Sequence, residues 1–290
     1  MKQIAIGNVT ISNVVEIGPM EADHKYLLLG STPEVLDRHK EWLTPHFMTP
    51  EHKLLMSIHT YIVKTKRHTI LVDMCFGNNK QRGANAKATN MNTPYLDNLA
   101  KAGAPPDTVD YVLCTHLHND HVGWNTKLVN GKWMPTFPKA KYLMSKKEYG
   151  YWKERKEGDF SYDSFVDSVL PVVESGQAMM VESDFVIEDE VRLESAAGHT
   201  PGQVSLKVNS KRREAVLCGD LMHHPAQIGE PDWNIPYDVD PPGTRQARRD
   251  FFKRYADTGA FILPAHFADP TVGQIVSKGH GWMWRPYFGD

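Results

Sequence analysis

The sequence has little cysteine and lacks the long apolar runs of membrane and secreted proteins. No stretch approaches the ~18 consecutive apolar residues of a membrane span, and the first residues lack the apolar segment of a signal peptide. The three cysteines, Cys75, Cys114 and Cys218, are odd in number, and each lies at the end of an apolar run. This count excludes a disulfide framework and favours buried, reduced thiols. We therefore expect a soluble cytoplasmic protein with no membrane partner.

The sequence also lacks an excess of charge of either sign. Its 33 basic and 35 acidic residues give a net charge of −2, which excludes a global attraction to nucleic acid. The basic run 245–254 is typical of a solvated helix face. With 41% hydrophobic residues, no low-complexity segment, no short-period repeat and no clear linker, residues 1–290 are predicted to form one domain. We expect a small-molecule substrate as partner, and a homodimer is left open.

One short stretch concentrates side chains that bind metals. His116, His118, Asp120 and His121 fall within six residues, directly after the apolar run 111–114. Imidazole suits Zn²⁺, and a carboxylate beside it suits the same ion or a second one. A strand formed by this apolar run would hold the start of the polar turn in place. The pattern therefore predicts a metal site rather than a solvated histidine-rich loop.

Three more metal-binding residues follow later predicted strands: His199 after 191–196, Asp220 after 214–218, and His266 after 260–264. Loops at strand ends are where rigid scaffolds hold chemistry. Five imidazoles and two carboxylates suffice for two ions with one bridging carboxylate, with a position left for water as in catalytic sites. Since both halves of the chain alternate strands and helices, we predict an α/β protein with two sheets packed face to face and helices outside.

These motifs resemble the metallo-β-lactamase superfamily. The resemblance comprises four motifs in their usual order, which are the histidine motif, Gly198-His199-Thr-Pro-Gly202, Gly219-Asp220 and Ala265-His266. The early turn Asp73-Met-Cys-Phe-Gly77, which precedes them in the chain, is also similar. It implies a four-layer αββα sandwich with two Zn²⁺ ions, or Mn, Co or Fe in their place. The ligands that it implies are His116, His118 and His199 for one metal, Asp120, His121 and His266 for the other, and Asp220 as the bridge.

Residues 219–225, Asp238-Val-Asp240-Pro and the Ala265-His266 ending are similar to the N-acyl-homoserine lactonase and methyl parathion hydrolase branch. One departure is His223, which stands where homoserine lactonases commonly have Tyr, so the substrate need not be a homoserine lactone. The resemblance implies a hydrolase whose metal-bridging hydroxide opens a lactone or cleaves an ester-type bond. Four alternatives remain: an organophosphate triester hydrolase, a lactam hydrolase, an iron-dependent persulfide dioxygenase and a non-enzymatic binding protein.

Besides metal binding, we predict catalytic roles for Asp120, which is also a predicted ligand, and for His223. His223 would donate a hydrogen bond to the developing oxyanion; alternatively, His223 or His224 only hydrogen-bonds the loop 238–240. Trp124 and Phe47 are predicted to contact substrate. The segment around 27–56 is poor in periodicity and contains Pro33, Pro45 and Pro50, which indicates a lid or substrate-facing loop, or else a plain surface insertion.

Overall fold

The strands of the chain are organised into two large sheets and one hairpin. The computed structural model describes residues 1, 3–83 and 87–289. In the first part of the chain the strands are β1 (Ile4–Ile6), β2 (Val9–Asp23), β3 (Lys53–Lys64), β4 (Thr69–Val72), β5 (Tyr111–Leu113), β6 (Thr126–Val129), β7 (Lys132–Pro135), β8 (Lys141–Ser145) and β9 (Ala178–Val181). The later strands are β10 (Val186–Glu188), β11 (Val191–Ser195), β12 (Val204–Ser210), β13 (Arg213–Gly219), β14 (Phe261–Pro264), β15 (Gly273–Lys278) and β16 (Gly281–Pro286).

Most of the helices are short, and they lie between these strands. The α-helices are α1 (His24–Leu27), α2 (Pro33–Asp37), α3 (Lys40–Leu43), α4 (Tyr95–Lys101), α5 (Asn119–Val122), α6 (Lys146–Trp152), α7 (Tyr162–Ser164), α8 (Leu170–Glu174), α9 (Ala226–Gly229) and α10 (Pro241–Tyr255). Pro106–Thr108 and Gly123–Asn125 are 3₁₀ turns, and Phe165–Val169 is a π-helical turn.

Each large sheet contains seven strands. The first has the order β1-β2-β3-β4-β5-β8-β9, and the second runs from β10 to β16 in chain order; β6 and β7 form a separate hairpin. In the first sheet β4, β5, β8 and β9 are parallel, and in the second β13 and β14 are parallel. Parallel strands place their carboxyl ends at one edge, so the loops after them meet there.

Successive side chains of a single strand pack on opposite faces of the sheet, and both faces are buried. In β13, Ala215 and Leu217 pack between the two sheets, whereas Val216 and Cys218 pack on the outer side with α10. The period of two residues sends successive side chains to opposite faces. Each fully buried aliphatic side chain stabilises the fold by roughly 1.5–3 kcal/mol. The strands are therefore apolar on both faces, as a central layer requires.

Helices cover both outer faces. Tyr95 and Leu99 of α4 and Val172 of α8 pack on the first sheet, and Phe252 and Tyr255 of α10 pack on the second. Pro241 begins α10, and the Asp240 side chain caps it by accepting a hydrogen bond of 3.1 Å from the Gly243 N–H. The predicted four-layer αββα sandwich is therefore confirmed.

The segment 27–56 is more regular and more buried than the sequence indicates. It contains α2 and α3, and its buried apolar side chains belong to the core on the outer face of the second sheet. Trp42 and Phe47 are both buried there. Of this segment, Leu27 and Met56 line the large cavity described below. A lid role for 27–56 stays a prediction.

All three cysteines are buried and free, as expected from their number and placement. No helix within residues 1, 3–83 and 87–289 is long and apolar enough to cross a membrane.

Candidate metal centre

The seven predicted ligands meet at one edge of the sandwich. The histidine motif follows β5 of the first sheet, while the other three follow β11, β13 and β14 of the second. The residues form two groups, and within each group one possible ligand atom from every residue lies within 4.8 Å of the others. The first group is His116, His118, His199 and Asp220, and the second is Asp120, His121 and His266. These groups coincide with the two ligand sets that the resemblance implies, apart from Asp220, which the first group includes.

Asp220 lies between the two groups. Its Oδ2 is 3.6 Å from His116 Nε2 and 3.3 Å from His121 Nε2, and its Oδ1 is 3.1 Å from His266 Nε2. The side chain is buried at the end of β13. One carboxylate therefore reaches imidazoles of both ligand groups, which is the geometry that a bridging ligand needs.

The loop after β5 is shaped by a close backbone approach. Gly123 donates a hydrogen bond of 2.8 Å to the Cys75 carbonyl, and Trp124 donates one of 2.7 Å to the Met74 carbonyl. A Cβ at Gly123 would lie 1.9 Å from the Phe76 carbonyl oxygen, so only glycine fits there. This contact holds α5, and with it Asp120, beside the turn that carries Asp73.

Two further carboxylates lie beside the far ring nitrogens of predicted ligand histidines. Asp73 Oδ2 lies 3.0 Å from His121 Nδ1, and Asp238 Oδ1 lies 2.8 Å from His199 Nδ1. A carboxylate on the far nitrogen fixes the ring of a metal-binding histidine and makes the other nitrogen a better ligand. The sequence pointed to Asp73 and Asp238 only as parts of motifs, because their partners lie 48 and 39 residues away along the chain (121 − 73 and 238 − 199).

The cluster fits divalent metal ions. His116 Nε2 and Asp220 Oδ1 are buried and have no hydrogen-bond partner among the described residues. His118 Nδ1 and His199 Nε2 approach to 2.9 Å, so two nitrogens converge on one point. Leaving buried atoms such as His116 Nε2 and Asp220 Oδ1 unpaired is costly. Imidazole and carboxylate are the donors that Zn²⁺ and related ions bind, so a cation at each group would satisfy these atoms.

Burial and charge divide the histidines into two kinds. Burial lowers the pKa of His116 and of His118 well below the usual value, so both rings are neutral and ready to bind a metal. Burial also lowers the pKa of His121 and of His266, but the neighbouring carboxylates, Asp220 foremost with Asp120 beside it, together outweigh burial and raise both pKa values above the usual value. A proton on these rings balances the carboxylates in the ion-free protein, and bound cations would displace it.

The cluster opens into a cavity of about 550 Å³. His118, Asp120 and Asp220 are among the residues at the metal end of its lining. Most of the remaining wall is apolar or aromatic and includes Met20, Met56, Ile58, Phe76, Phe160, Ile235 and Tyr237. A cavity of this size that ends in a metal cluster suits a small molecule with an uncharged body.

Trp124 and Phe47 do not contribute to the cavity lining. The Trp124 ring stacks on Tyr95 at 5.2 Å and its Nε1–H donates to the Glu16 carboxylate. Phe47 is fully buried and packs edge-on against Phe267. This placement corrects the predicted substrate contacts, because both rings are taken up by core packing. Phe160 and Tyr237 do line the cavity, but no sequence signal marks them, because they lie on polar loops.

His223 lies at the cluster and lines the cavity. Its Nε2 is 2.9 Å from Asp220 Oδ2, and its ring stacks on His266 at 5.2 Å. A third group of convergent ligand atoms joins His223 to Asp220 and His266. His224 Nε2 instead lies 2.7 Å from the Phe47 carbonyl oxygen. The predicted alternative, in which one of them bonds the loop 238–240, is therefore wrong; His199 makes that contact.

Comparison with known proteins identifies the family. The sequence profile of the Metallo-beta-lactamase superfamily matches residues 55–266, which contain all seven predicted ligands. The chain belongs to this superfamily. Together with the convergent ligand cluster, the membership makes it a metal-dependent hydrolase.

Several individual proteins are similar to the chain. The N-acyl homoserine lactonase AiiB of Agrobacterium fabrum is 23% identical over 243 residues, covering 75% of this chain and 79% of that protein. The crystal structure of AbOPH, a hydrolase of the beta lactamase superfamily, is 26% identical with a TM-score of 0.81 and coverage of 99% and 98%. AidC, a dizinc quorum-quenching lactonase, is 22% identical with a TM-score of 0.82 over 100% of this chain and 98% of AidC, and supports the fold.

Proposed function

We propose that this metallo-hydrolase binds two divalent metal ions and opens a lactone or cleaves an ester-type bond of a small, largely apolar molecule. The observation that carries the proposal is the position of Asp220, between two sets of ligands at the end of an apolar cavity. The names of the similar proteins support the same reaction class, since AiiB and AidC are lactonases.

The proposed ligand sets follow the two groups. One ion is held by His116, His118 and His199, the second by Asp120, His121 and His266, and Asp220 contacts both. When bound, two such cations lower the pKa of water and polarise a carbonyl or phosphoryl oxygen of the substrate.

Asp120 is proposed to move protons as well as bind metal. It lines the cavity, and 20% of its side chain is exposed, more than for any other ligand. Its Oδ1 and Oδ2 lie 3.6 Å from His121 Nε2 and His266 Nε2, respectively. A carboxylate that is partly open to the cavity is positioned to take a proton from the attacking water and return it to the leaving oxygen.

His223 is proposed to stabilise the negative charge that develops on the substrate oxygen. Burial lowers its pKa, so the ring is neutral and carries one N–H. The ring lines the cavity beside Asp220. A single N–H aimed at a developing oxyanion is worth on the order of 10²–10³-fold in kcat.

Metal analysis combined with a substrate screen tests the proposal. We expect about two zinc-class ions per chain, and hydrolysis of a lactone or an aryl ester; hydrolysis of phosphotriesters alone would contradict the proposed reaction and support the alternative. The matched variant Asp220→Ala should lose metal and activity together, since it removes the shared ligand. A fully loaded protein that holds one iron ion and consumes oxygen with a persulfide would overturn the proposal. So would an Asp220→Ala variant that keeps both ions and more than about a tenth of kcat.

A further inference from the structure

Glu148 is a buried carboxylate that lies behind the metal centre and belongs to neither ligand group. The sequence places it three residues after Ser145, in the pattern of a helix capping box. In the structure the Ser145 side chain makes no capping hydrogen bond, and the Glu148 side chain turns into the protein, where it is 1% exposed. A buried carboxylate needs strong partners because losing hydration is costly.

The partners of Glu148 belong to two different ligand loops. Its Oε1 accepts a hydrogen bond of 3.1 Å from the N–H of Leu117, the residue between His116 and His118. Its Oε2 accepts one of 2.9 Å from the N–H of Gly202, three residues after His199. One side chain therefore joins the loop after β5 in the first sheet to the loop after β11 in the second.

A third hydrogen bond extends this connection to a ligand ring. Trp152 Nε1–H donates to Glu148 Oε1 at 2.6 Å, and the Trp152 ring packs edge-on against the His118 ring at 5.2 Å. The rotation of His118 is therefore limited by a ring that Glu148 holds in place.

The backbone of Gly202 also packs closely against the backbone of Glu148. A Cβ at Gly202 would lie 2.2 Å from the Glu148 backbone nitrogen, so only glycine lets this loop pack against the start of α6. The close approach and the hydrogen bond occur at the same residue, which ties the loop of His199 to α6 in two independent ways.

We propose that Glu148 is a positioning residue that fixes the separation of His116 and His118 from His199, and so sets the affinity of the first metal group. The inference rests on the proposed function, because it concerns those metal ligands. Glu148 touches neither metal ligand atoms nor the cavity lining, so it acts through the loops that it joins.

The test is Glu148→Gln, which keeps the size of the side chain. Glutamine offers one carbonyl oxygen and one NH₂ group, so it cannot accept from both Leu117 and Gly202, and a buried N–H then meets another donor. We expect metal affinity, measured by competition with a chromophoric chelator, to fall about 10–100-fold. With both ions restored at high zinc concentration, kcat should recover and KM should stay near the wild-type value.

Glu190→Gln is the matched control. Glu190 is half-buried and also accepts side-chain hydrogen bonds, from Ser210 and from Asn8 at 3.2 Å, but it precedes β11, whereas the His199 loop follows that strand. It should lower the Tm without changing metal affinity. If Glu148→Gln lowers the Tm but keeps wild-type metal affinity, the carboxylate is merely structural and the inference is overturned.

Gly202→Ala is a second test, which alters the Gly202 side of the contact with Glu148. It can be used if the Glu148→Gln variant does not fold. It leaves the carboxylate intact and pushes the loop of His199 away, so metal affinity should again fall; unchanged affinity would overturn the inference. A wild-type protein that binds no divalent metal would instead overturn the proposed function, and this result is distinct from a failure of Glu148 alone.

Discussion

At the scale of single residues, His223 shows how a neighbour of the metal ligands can be assigned a role. Its Nε2 lies beside Asp220, and its Nδ1 is buried without a hydrogen-bond partner in the described part of the chain. A neutral imidazole has one N–H to give. That N–H either orients the shared carboxylate or stabilises charge on the substrate. Removing the ring would lower the metal content in the first case and kcat in the second.

His223→Phe separates these roles. If His223 stabilises the oxyanion, the variant keeps both metals and its Tm, and kcat falls by about 10²-fold or more. Metal content, Tm and kcat are measured on one preparation. A fully metallated variant with wild-type kcat would contradict the catalytic role, and loss of metal would show that His223 orients Asp220.

At the scale of elements, three separate segments supply an aromatic rim to the cavity. Tyr26 of α1 and Tyr237 share a hydrogen bond between their hydroxyl groups, and Phe160 stacks on Tyr237 at 5.0 Å. All three line the cavity although all are partly exposed. Phe160 also packs edge-on against His118 at 5.1 Å. The rim therefore borders both the apolar wall and the metal end.

Phe160→Ala should weaken the binding of long or aromatic substrates and spare short ones. Losing one ring from the wall costs about 1–3 kcal/mol of apolar contact, or roughly 5–150-fold in kcat/KM. Phe288→Ala is the matched control, since Phe288 is 55% exposed and does not contribute to the cavity lining. Equal losses for short and long acyl chains would rule out a role of Phe160 in substrate selection.

Local signals in the sequence predicted many of the strands and the residues that converge at the cluster, whereas contacts between distant segments could not be predicted. His116 and Asp220 follow strong apolar runs, so their places at strand ends are readable. Asn209-Ser210 has the composition of a turn, but the turn between β12 and β13 occurs at Lys211-Arg212, both with positive φ, because pairing with β13 extends β12 to Ser210. The Ser145–Glu148 pattern failed for a similar reason: tertiary partners take the carboxylate.

Local sequence signals could not predict the aromatic rim of the cavity, nor the pairing of Asp73 and Asp238 with histidines of the cluster. Tyr26, Phe160 and Tyr237 come from three distant segments, and only the packed fold brings them to one cavity. For Trp124 and Phe47 the error is the opposite one, because both were predicted to contact substrate and lie in the core. Large aromatic rings near a motif pack in the core more often than they line a site.

At the scale of the whole molecule, the metal centre joins the two halves of the sandwich. His116, His118, Asp120 and His121 come from the first sheet, whereas His199, Asp220 and His266 come from the second. Asp220 contacts histidines from both sides. Any ion bound here therefore links loops of the two sheets, and its binding free energy adds to the stability of their packing.

Removing the metals should therefore lower the stability of the whole fold. A ligand present at 100 times its Kd stabilises the folded state by about 2.7 kcal/mol, and two such sites give a shift of Tm on the order of 10 °C. We expect chelation to produce this shift in differential scanning calorimetry, and added Zn²⁺ to reverse it. Asp220→Ala is the control, because without the shared carboxylate its Tm should respond little to chelator or Zn²⁺. An unchanged Tm in wild-type protein whose metal content has fallen to zero would show that the ions act in catalysis without holding the two sheets together.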